Sequence, residues 1–455
     1  MMRLTTSGRL LSNLIELHRK PRVGHLAGPI LKYNMKRYIT VLICLAFGTI
    51  PAWSQAQRFV DALKENPARA ASNYQSYEFV DTDLTPAPKG YKRFYISHYS
   101  RHGSRYHTGE SYFRLCMPKM EVCDSLGILS EEGQSWYSEA KTVYDEHQGM
   151  FGMLTALGSQ EQDGIGKRIH ERFPEVFSGK NGRTDVRNRC TRVQRSIVSM
   201  TSFNTSIAKK SPALNFSYAA GDKFRVYLNA DPENYPLLDK FDDRVEDSLK
   251  HLINTERVFE VLFKDQETAY KVIADPYEFV KGVFLVSAIS PNTDAHPDML
   301  KYFHQDDILG HWIIRNNVFY AGWANSAEMA SEVATIARPL IQDIIVKAEE
   351  ALSENSSLAA DFRFGHDTGL LPLVATIGIN GMHEKWSAFS AHEHWSSSEF
   401  IPMASSLQMV FYKNTKGDIL VKLLYNEKET SIPALNPESG PYYKWSSFKE
   451  YLLSL

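Results

Sequence analysis

The run Arg93-Phe94-Tyr95-Ile96-Ser97-His98-Tyr99, followed almost at once by Arg101-His102-Gly103-Ser104-Arg105, decides how the rest of the chain is read. The first part alternates apolar and polar residues and is rich in aromatics, the pattern of a β-strand. The second part sets a histidine between two arginines where that strand hands over to a loop. Open α/β sheets bind ligands at the carboxyl ends of their strands, so this is a candidate pocket floor. Two guanidiniums give a planar, multi-donor grip suited to phosphate oxygens. An imidazole between them, neutral near pH 7, is suited to attack on phosphorus. Gly103 is read as removing a side chain where the backbone must approach a ligand closely. The same residues also fit a strand end with solvated arginines and one stray histidine, so partners have to come from elsewhere in the chain.

Two further strand ends supply them. Asp185 to Gln194 alternates like a second strand and delivers Arg195 ahead of a helix marked by Ile197, Met200, Phe203 and Ile207. Backbone N–H groups point outward at such a junction and suit an anion. Arg183, Arg187, Arg189 and Arg192 crowd the same stretch, and position alone does not choose among them. Asp361-Phe362-Arg363-Phe364 reads as a third strand, ending in Gly365-His366-Asp367-Thr368 and a helix to Ile379 interrupted by Pro372. Taken alone, an aspartate there is more often a helix cap than an acid.

The remaining segments frame these junctions. Residues 57–67 resemble a short amphipathic helix, and 110–123 could begin another. Thr155 is an N-cap for a helix with Ile165, Ile169 and Phe173 on one face, ending at Pro174 and read as a packing helix. Glu328 to Leu352 carries apolar residues at helical spacing, with Pro339 either kinking it or starting a new helix. Ser406–Lys413 and Asp418–Tyr425 flank Asn414-Thr415-Lys416-Gly417 as a β-hairpin. His383, His392 and His394 are too loosely spaced for a metal site.

The chain has 455 residues, 43% hydrophobic and 23% charged, enough for one large or two intimate domains. Residues 1–34 read as a start assigned too far upstream. Met35-Lys36-Arg37, the apolar run from Tyr38 to Ile50, Pro51 and Ser54-Gln55-Ala56 form a secretory signal peptide over 35–56. The run is shorter than the roughly 20 residues a membrane span needs. A periplasmic or secreted protein with no stable membrane span after cleavage is expected. Residues 1–56 hold eight basic residues and one acidic one, so the remainder carries 43 basic against 52 acidic residues, near −9. That balance argues against nucleic-acid binding and requires a local basic pocket for any anion. Three of the four cysteines lie beyond residue 56: Cys116 and Cys123 are close enough in sequence for a small disulfide loop, and Cys190 is left over.

Together the three junctions resemble the histidine acid phosphatase family, the large branch of the histidine phosphatase superfamily. Arg101 to Arg105 matches that family's R-H-G-x-R signature; Thr191, Val193, Arg195 and Ser199 match its second strand-borne motif; His366-Asp367-Thr368 matches its H-D-T. The Leu154-Thr155…Gly158 helix start has a counterpart too. "RHGSRY" and "FGHDTGLLPL" look nearest the multiple inositol polyphosphate phosphatases and phytases. His107 stands where the signature is usually followed by proline, and Asp367 stands where the inositol-phosphate branch usually has Ala-Glu.

The resemblance implies a three-layer α/β/α core of the phosphoglycerate-mutase type over 57–207 and 326–455, with 208–325 as a mainly helical inserted lobe. It also selects Arg195 from its neighbours. It implies His102 as nucleophile and Asp367 as proton donor, with Arg101, Arg105, Arg195 and His366 holding phosphate, and neither metal nor organic cofactor. The implied substrate is a small phosphomonoester, phytate or a lower inositol phosphate first and other small phosphomonoesters second. A phosphoglycerate-mutase-like transferase and a non-catalytic phosphate-ligand binder are the competing readings.

Overall fold

The computed structural model describes residues 55–455 apart from 181 and 231–233. The upstream extension and nearly all of the signal segment lie outside the described residues. Eight strands form one sheet: β1 (Lys92–Arg101), β2 (Asp185–Cys190), β3 (Asn215–Ala220), β4 (Leu358–Gly365), β5 (Ser406–Lys413), β6 (Ile419–Tyr425), β7 (Lys428–Glu429) and β8 (Tyr442–Lys444). Their order is β3-β2-β4-β1-β5-β6-β7, with β8 also on β6. The first four run parallel, and the C-terminal hairpin adds the antiparallel remainder.

Both faces of the sheet are covered, which is why β4 is buried at every position. The helices that matter below are α1 (Glu131–His147), α2 (Ala156–Arg172), α3 (Gln194–Lys210), α4 (Pro276–Ile289), α5 (Gln305–Trp323), α6 (Ala330–Leu352), α7 (Asp367–Ile377) and α8 (Trp445–Ser454). Alternation along β1 sends Tyr95 and Tyr99 to one face and Ile96 and His98 to the other. The tyrosines pack in a core with Leu340 and Ile344 of α6, Leu370 and Val374 of α7, and Trp445 and Phe448 of α8. Ile96 packs with Ile165 and Ile169 of α2 and Met200, Phe203 and Ile207 of α3. This is the expected three-layer arrangement.

Pro339 lies inside α6 without dividing it, and Pro372 lies inside α7. The helix expected over 110–123 is two pieces, Ser111–Arg114 and Met117–Ser125. Pro118 falls in the first turn of the second piece, where a proline's missing N–H costs nothing.

The lobe boundaries differ from the expected ones. Residues 215–220, assigned to the insertion, are an edge strand of the core sheet, parallel to β2. Conversely Phe113, Met120, Trp136, Ala140 and Val143, assigned to the α/β core, share a helical core with Val283 and Phe284 of α4 and Trp312 of α5. Their apolar spacing reveals a buried face without revealing what covers it.

The disulfide loop that the spacing of Cys116 and Cys123 allows is not formed: Cys116, Cys123 and Cys190 are all free and buried. Burial pushes the Cys116 thiol up to about 12 and the Cys123 thiol to about 11. Among the described residues no helix is long and apolar enough to cross a membrane.

Candidate active site

Strand register builds the site. In the parallel β1–β4 pair Arg101 lies opposite Gly365, and the His102 N–H donates to the Gly365 carbonyl at 3.0 Å. Thr191, just beyond β2, donates its N–H to the Phe364 carbonyl at 3.4 Å. The carboxyl ends of three adjacent strands thus deliver Arg101 and His102, Thr191 and Arg195, and His366 and Asp367 to one place.

Arg101 is fully buried. Its Nη1 donates to the Asn73 and Ile401 carbonyls, each at 2.7 Å, and its Nη2 pairs with Asp367 Oδ2 at 2.8 Å. Arg105 donates to the Tyr106 carbonyl at 2.9 Å and lies over the Tyr74 ring. Arg195 enters from the first turn of α3, donating Nη1 to the Gly152 carbonyl at 3.1 Å. Among the described residues the Nε atoms of all three arginines are buried without a hydrogen-bond partner. Three guanidiniums facing one contacting carboxylate leave net positive charge in a low-dielectric site, an arrangement that calls for an anion.

Both histidines are held neutral. The His102 Nδ1 lies 2.9 Å from the Gly103 carbonyl, which can only accept, so that nitrogen carries the proton and Nε2 keeps its lone pair. Burial first, then Arg195 and Arg101, hold its pKa well below the ordinary 6.5. His366 accepts from Arg195 Nη2 at Nδ1 (3.4 Å), which leaves its Nε2–H to donate to Thr191 Oγ1 at 3.1 Å. Burial, then Arg195, bring His366 down to about 3. The two rings meet edge to face at 5.3 Å. Burial brings Arg195 down to about 9, which keeps it charged at neutral and acid pH.

Asp367 opens α7. Its Oδ1 accepts the Thr368 N–H at 3.0 Å, and its Oδ2 accepts from Asn73 Nδ2 at 3.0 Å. Burial raises its pKa, but Arg101, the Asn73 bond and Arg105 outweigh burial and leave it below the usual carboxylate range. The aspartate therefore serves its own helix start as well as facing the arginines.

Gly103 differs from expectation. A Cβ there would lie 2.3 Å from the Gly158 carbonyl oxygen, and one on Gly158 would lie 2.1 Å from the Ser104 oxygen. The glycine is needed for backbone-to-backbone packing on the start of α2, not for a ligand. That packing gives the Thr155 helix a positioning role: Thr155 caps Gly158 and also donates to the Ser104 carbonyl at 3.0 Å.

Sequence reasoning missed several supports. Glu161 accepts from the Ser104 N–H (2.7 Å), the Ser104 hydroxyl (2.8 Å) and the Tyr77 N–H (2.8 Å). A glutamate on the buried face of an amphipathic helix was the available signal. Gln162 donates to the Arg101 carbonyl at 2.8 Å; Ser199, which the motif match did include, accepts from the Gly103 N–H at 3.1 Å. Asn73, Tyr74 and Arg315 lie outside any motif.

His107 is buried, stacked 4.4 Å from Tyr112, and its Nε2 donates to the Leu285 carbonyl of α4 at 3.0 Å. It ties the loop to the helical lobe where a proline would have no side-chain donor. His383, His392 and His394 are not drawn together: His392 accepts from Asn317 and His394 stacks on Trp386. Among the described residues no group of three or more His, Cys, Asp or Glu side chains is placed to hold a metal ion.

Residues 312–426, which include β4, His366 and Asp367, match the model of the family described as the histidine phosphatase superfamily (branch 2). Over that segment the chain is similar to that superfamily branch. No curated protein matches it. Among solved structures the fold is similar to the multiple inositol polyphosphate phosphatase of Bifidobacterium longum in complex with inositol hexasulfate. That match has a TM-score of 0.69 and 19% identity, covering 84% of this chain and 97% of the other. The apo form of the same protein gives 0.72 and 18%, with the same coverage. The phytase from D. castellii gives 0.62 and 13%, covering 86% of each chain. The region outside the family match supplies Arg101, His102, Arg105 and Arg195, which the strand register sets beside His366 and Asp367.

Proposed function

We propose that this chain is a phosphomonoester hydrolase working through a phosphohistidine on His102, with inositol polyphosphates as its substrates. The observation that carries the reading is the set of three arginines with buried, unpartnered Nε atoms around a neutral imidazole whose Nε2 keeps its lone pair. A phosphoryl group among Arg101, Arg105 and Arg195 has the charge on its equatorial oxygens offset. His102 Nε2 attacks phosphorus in line; the N–P bond forms as the bond to the leaving oxygen breaks. Protonated Asp367 gives its proton to that oxygen. The Asp367 carboxylate then takes a proton from water as the water attacks phosphorus, the N–P bond breaks and phosphate is released.

A polyanionic substrate suits what lies next to the reaction centre. Asn73 and Tyr74 also line a cavity of about 220 Å³ whose walls include Arg315 of the helical lobe and a Lys281 already paired with Glu246. The Arg315 Nε is buried and unpartnered. The Bifidobacterium relative is named as an inositol polyphosphate phosphatase. Export through the segment at 35–56, to the periplasm or outside the cell, belongs to the same reading.

Phosphate release from phytate and from an aryl phosphate, beside His102→Ala, tests the proposal. Release from both, lost in the variant, supports it. Release from the aryl ester alone removes inositol polyphosphates, and no release from either between pH 3 and 8 removes the hydrolase.

A further inference from the structure

Asn73 sits at the end of a short 3-10 segment, Pro67–Tyr74, about twenty residues ahead of β1 and outside every motif. All of its polar groups except the N–H are spent on the reaction centre. Its carbonyl takes Arg101 Nη1 at 2.7 Å, its Nδ2 donates to Asp367 Oδ2 at 3.0 Å, and its Oδ1 accepts from Arg315 Nη2 at 3.3 Å. The amide can point only one way, because a carboxylate needs a donor and a guanidinium needs an acceptor. One residue from the N-terminal segment therefore touches the phosphate-binding arginine, the aspartate and the helical lobe.

The backbone goes out of its way to hold it there. Ser72, the residue before, has φ +60° and ψ −124°, a conformation a non-glycine residue adopts only when its surroundings impose it. Ser72 is fully buried, and its hydroxyl lies 2.5 Å from that of Ser397. Strain of this kind gathers where a side chain must be aimed.

We propose that Asn73 is a positioning residue for proton donation: it aims Asp367 Oδ2 and ties that aim to Arg315 of the helical lobe. The inference rests on the hydrolase reading above. Among the described residues Asp367 Oδ2 otherwise pairs only with Arg101, whose guanidinium is also needed by the phosphoryl group. When that guanidinium turns to the phosphoryl group, the Asn73 amide is the remaining contact that fixes the oxygen relative to the leaving group. It works through Asp367 and does not itself exchange a proton.

The test is a leaving-group series on Asn73→Ala, which keeps the backbone carbonyl to Arg101 and deletes only the amide. A 2,4-dinitrophenolate leaves without a proton, whereas the alkoxide of glycerol 2-phosphate needs one. The expected result is a fall in kcat on glycerol 2-phosphate of about 10-fold or more, with less than about 3-fold on 2,4-dinitrophenyl phosphate. In an Asp367→Asn background the same change should add nothing.

The isosteric Asn73→Asp is the second variant. It sets a like charge against Asp367, so the alkaline limb of its pH–rate profile should move up. Equal losses on both esters, full activity on both, or an unmoved limb in Asn73→Asp would each overturn the proposal while leaving the hydrolase standing. A wild type that cleaves neither ester would overturn the hydrolase reading and this one with it.

Discussion

Arg101 Nη2 and Asp367 Oδ2 stand 2.8 Å apart, so the guanidinium that would grip a phosphoryl oxygen is paired with the carboxylate that would protonate the leaving group. The two roles cannot be filled in that arrangement, because the pairing helps hold Asp367 ionised. A dianion entering among the three arginines competes for Arg101 and replaces attraction on Asp367 with repulsion. Both changes raise its pKa.

Proton uptake should therefore accompany anion binding. Titrating with inorganic phosphate or sulfate near pH 5 in buffers of different ionisation enthalpy should show net uptake, abolished in Asp367→Asn. Because Asp367 must be protonated to donate, activity should be highest on the acid side of neutrality and fall as pH rises through its value in the complex. Asp367→Asn should lower kcat on an alkyl phosphate by roughly 10²- to 10⁴-fold.

Stability should run against activity at low pH. His98 is buried with neither ring nitrogen partnered, stacked 5.0 Å from Phe203 and edge-on to Phe362 and Phe364. Burial, then Arg363, bring it from 6.5 down to about 3. The unfolded chain binds a proton below about 6.5 and the folded one does not, so stability is full above that value and is lost as pH falls. For this residue the loss is about 2 kcal/mol by pH 5. His98→Phe should shrink the stability difference between pH 7 and pH 5 by about that 2 kcal/mol, read from urea unfolding; an unchanged difference would mean the ring is protonated in place.

Much of this was legible in the sequence, for identifiable reasons. The alternation of Arg93–Tyr99 and the polar residues just beyond each strand located three strand ends, and parallel register then brings strand ends together. Arg195 was not singled out by position among five nearby arginines; the motif match chose it. Asn73, Tyr74 and Arg315 were invisible because their roles exist only when a 3-10 segment, a strand end and a lobe helix meet. The lobe boundary slipped for the same reason: Trp136, Ala140 and Val143 mark a buried stripe, but only tertiary structure says it packs on α4 and α5.

Gly158→Ala tests the packing under the signature loop. The new Cβ would meet the Ser104 carbonyl at 2.1 Å with no flexible side chain to yield. Overpacking of this kind costs about 1–3 kcal/mol. A shift of the loop on the order of 1 Å costs up to roughly 100-fold in rate. Both a lower melting temperature and a lower kcat are expected, and a variant with wild-type kcat would show that the loop is not held by this contact.

The cysteines give an inexpensive check. With Cys116, Cys123 and Cys190 free, buried and raised by burial, an aromatic disulfide reagent at pH 8 should react with none of them in the folded protein and with all three after denaturation. Reductant should leave the melting temperature unchanged. A drop would reveal a bridge, which is typically worth about 2–4 kcal/mol.

Phosphorylation of His102 is the step from which turnover follows. Rapid acid-free quenching of a reaction with ³²P-labelled phosphomonoester should trap label on the protein that is stable to alkali, labile to acid and located on the peptide containing His102. His102→Ala should show no label and no turnover. Turnover at near the wild-type rate in His102→Ala, or label on any other residue, would contradict the account.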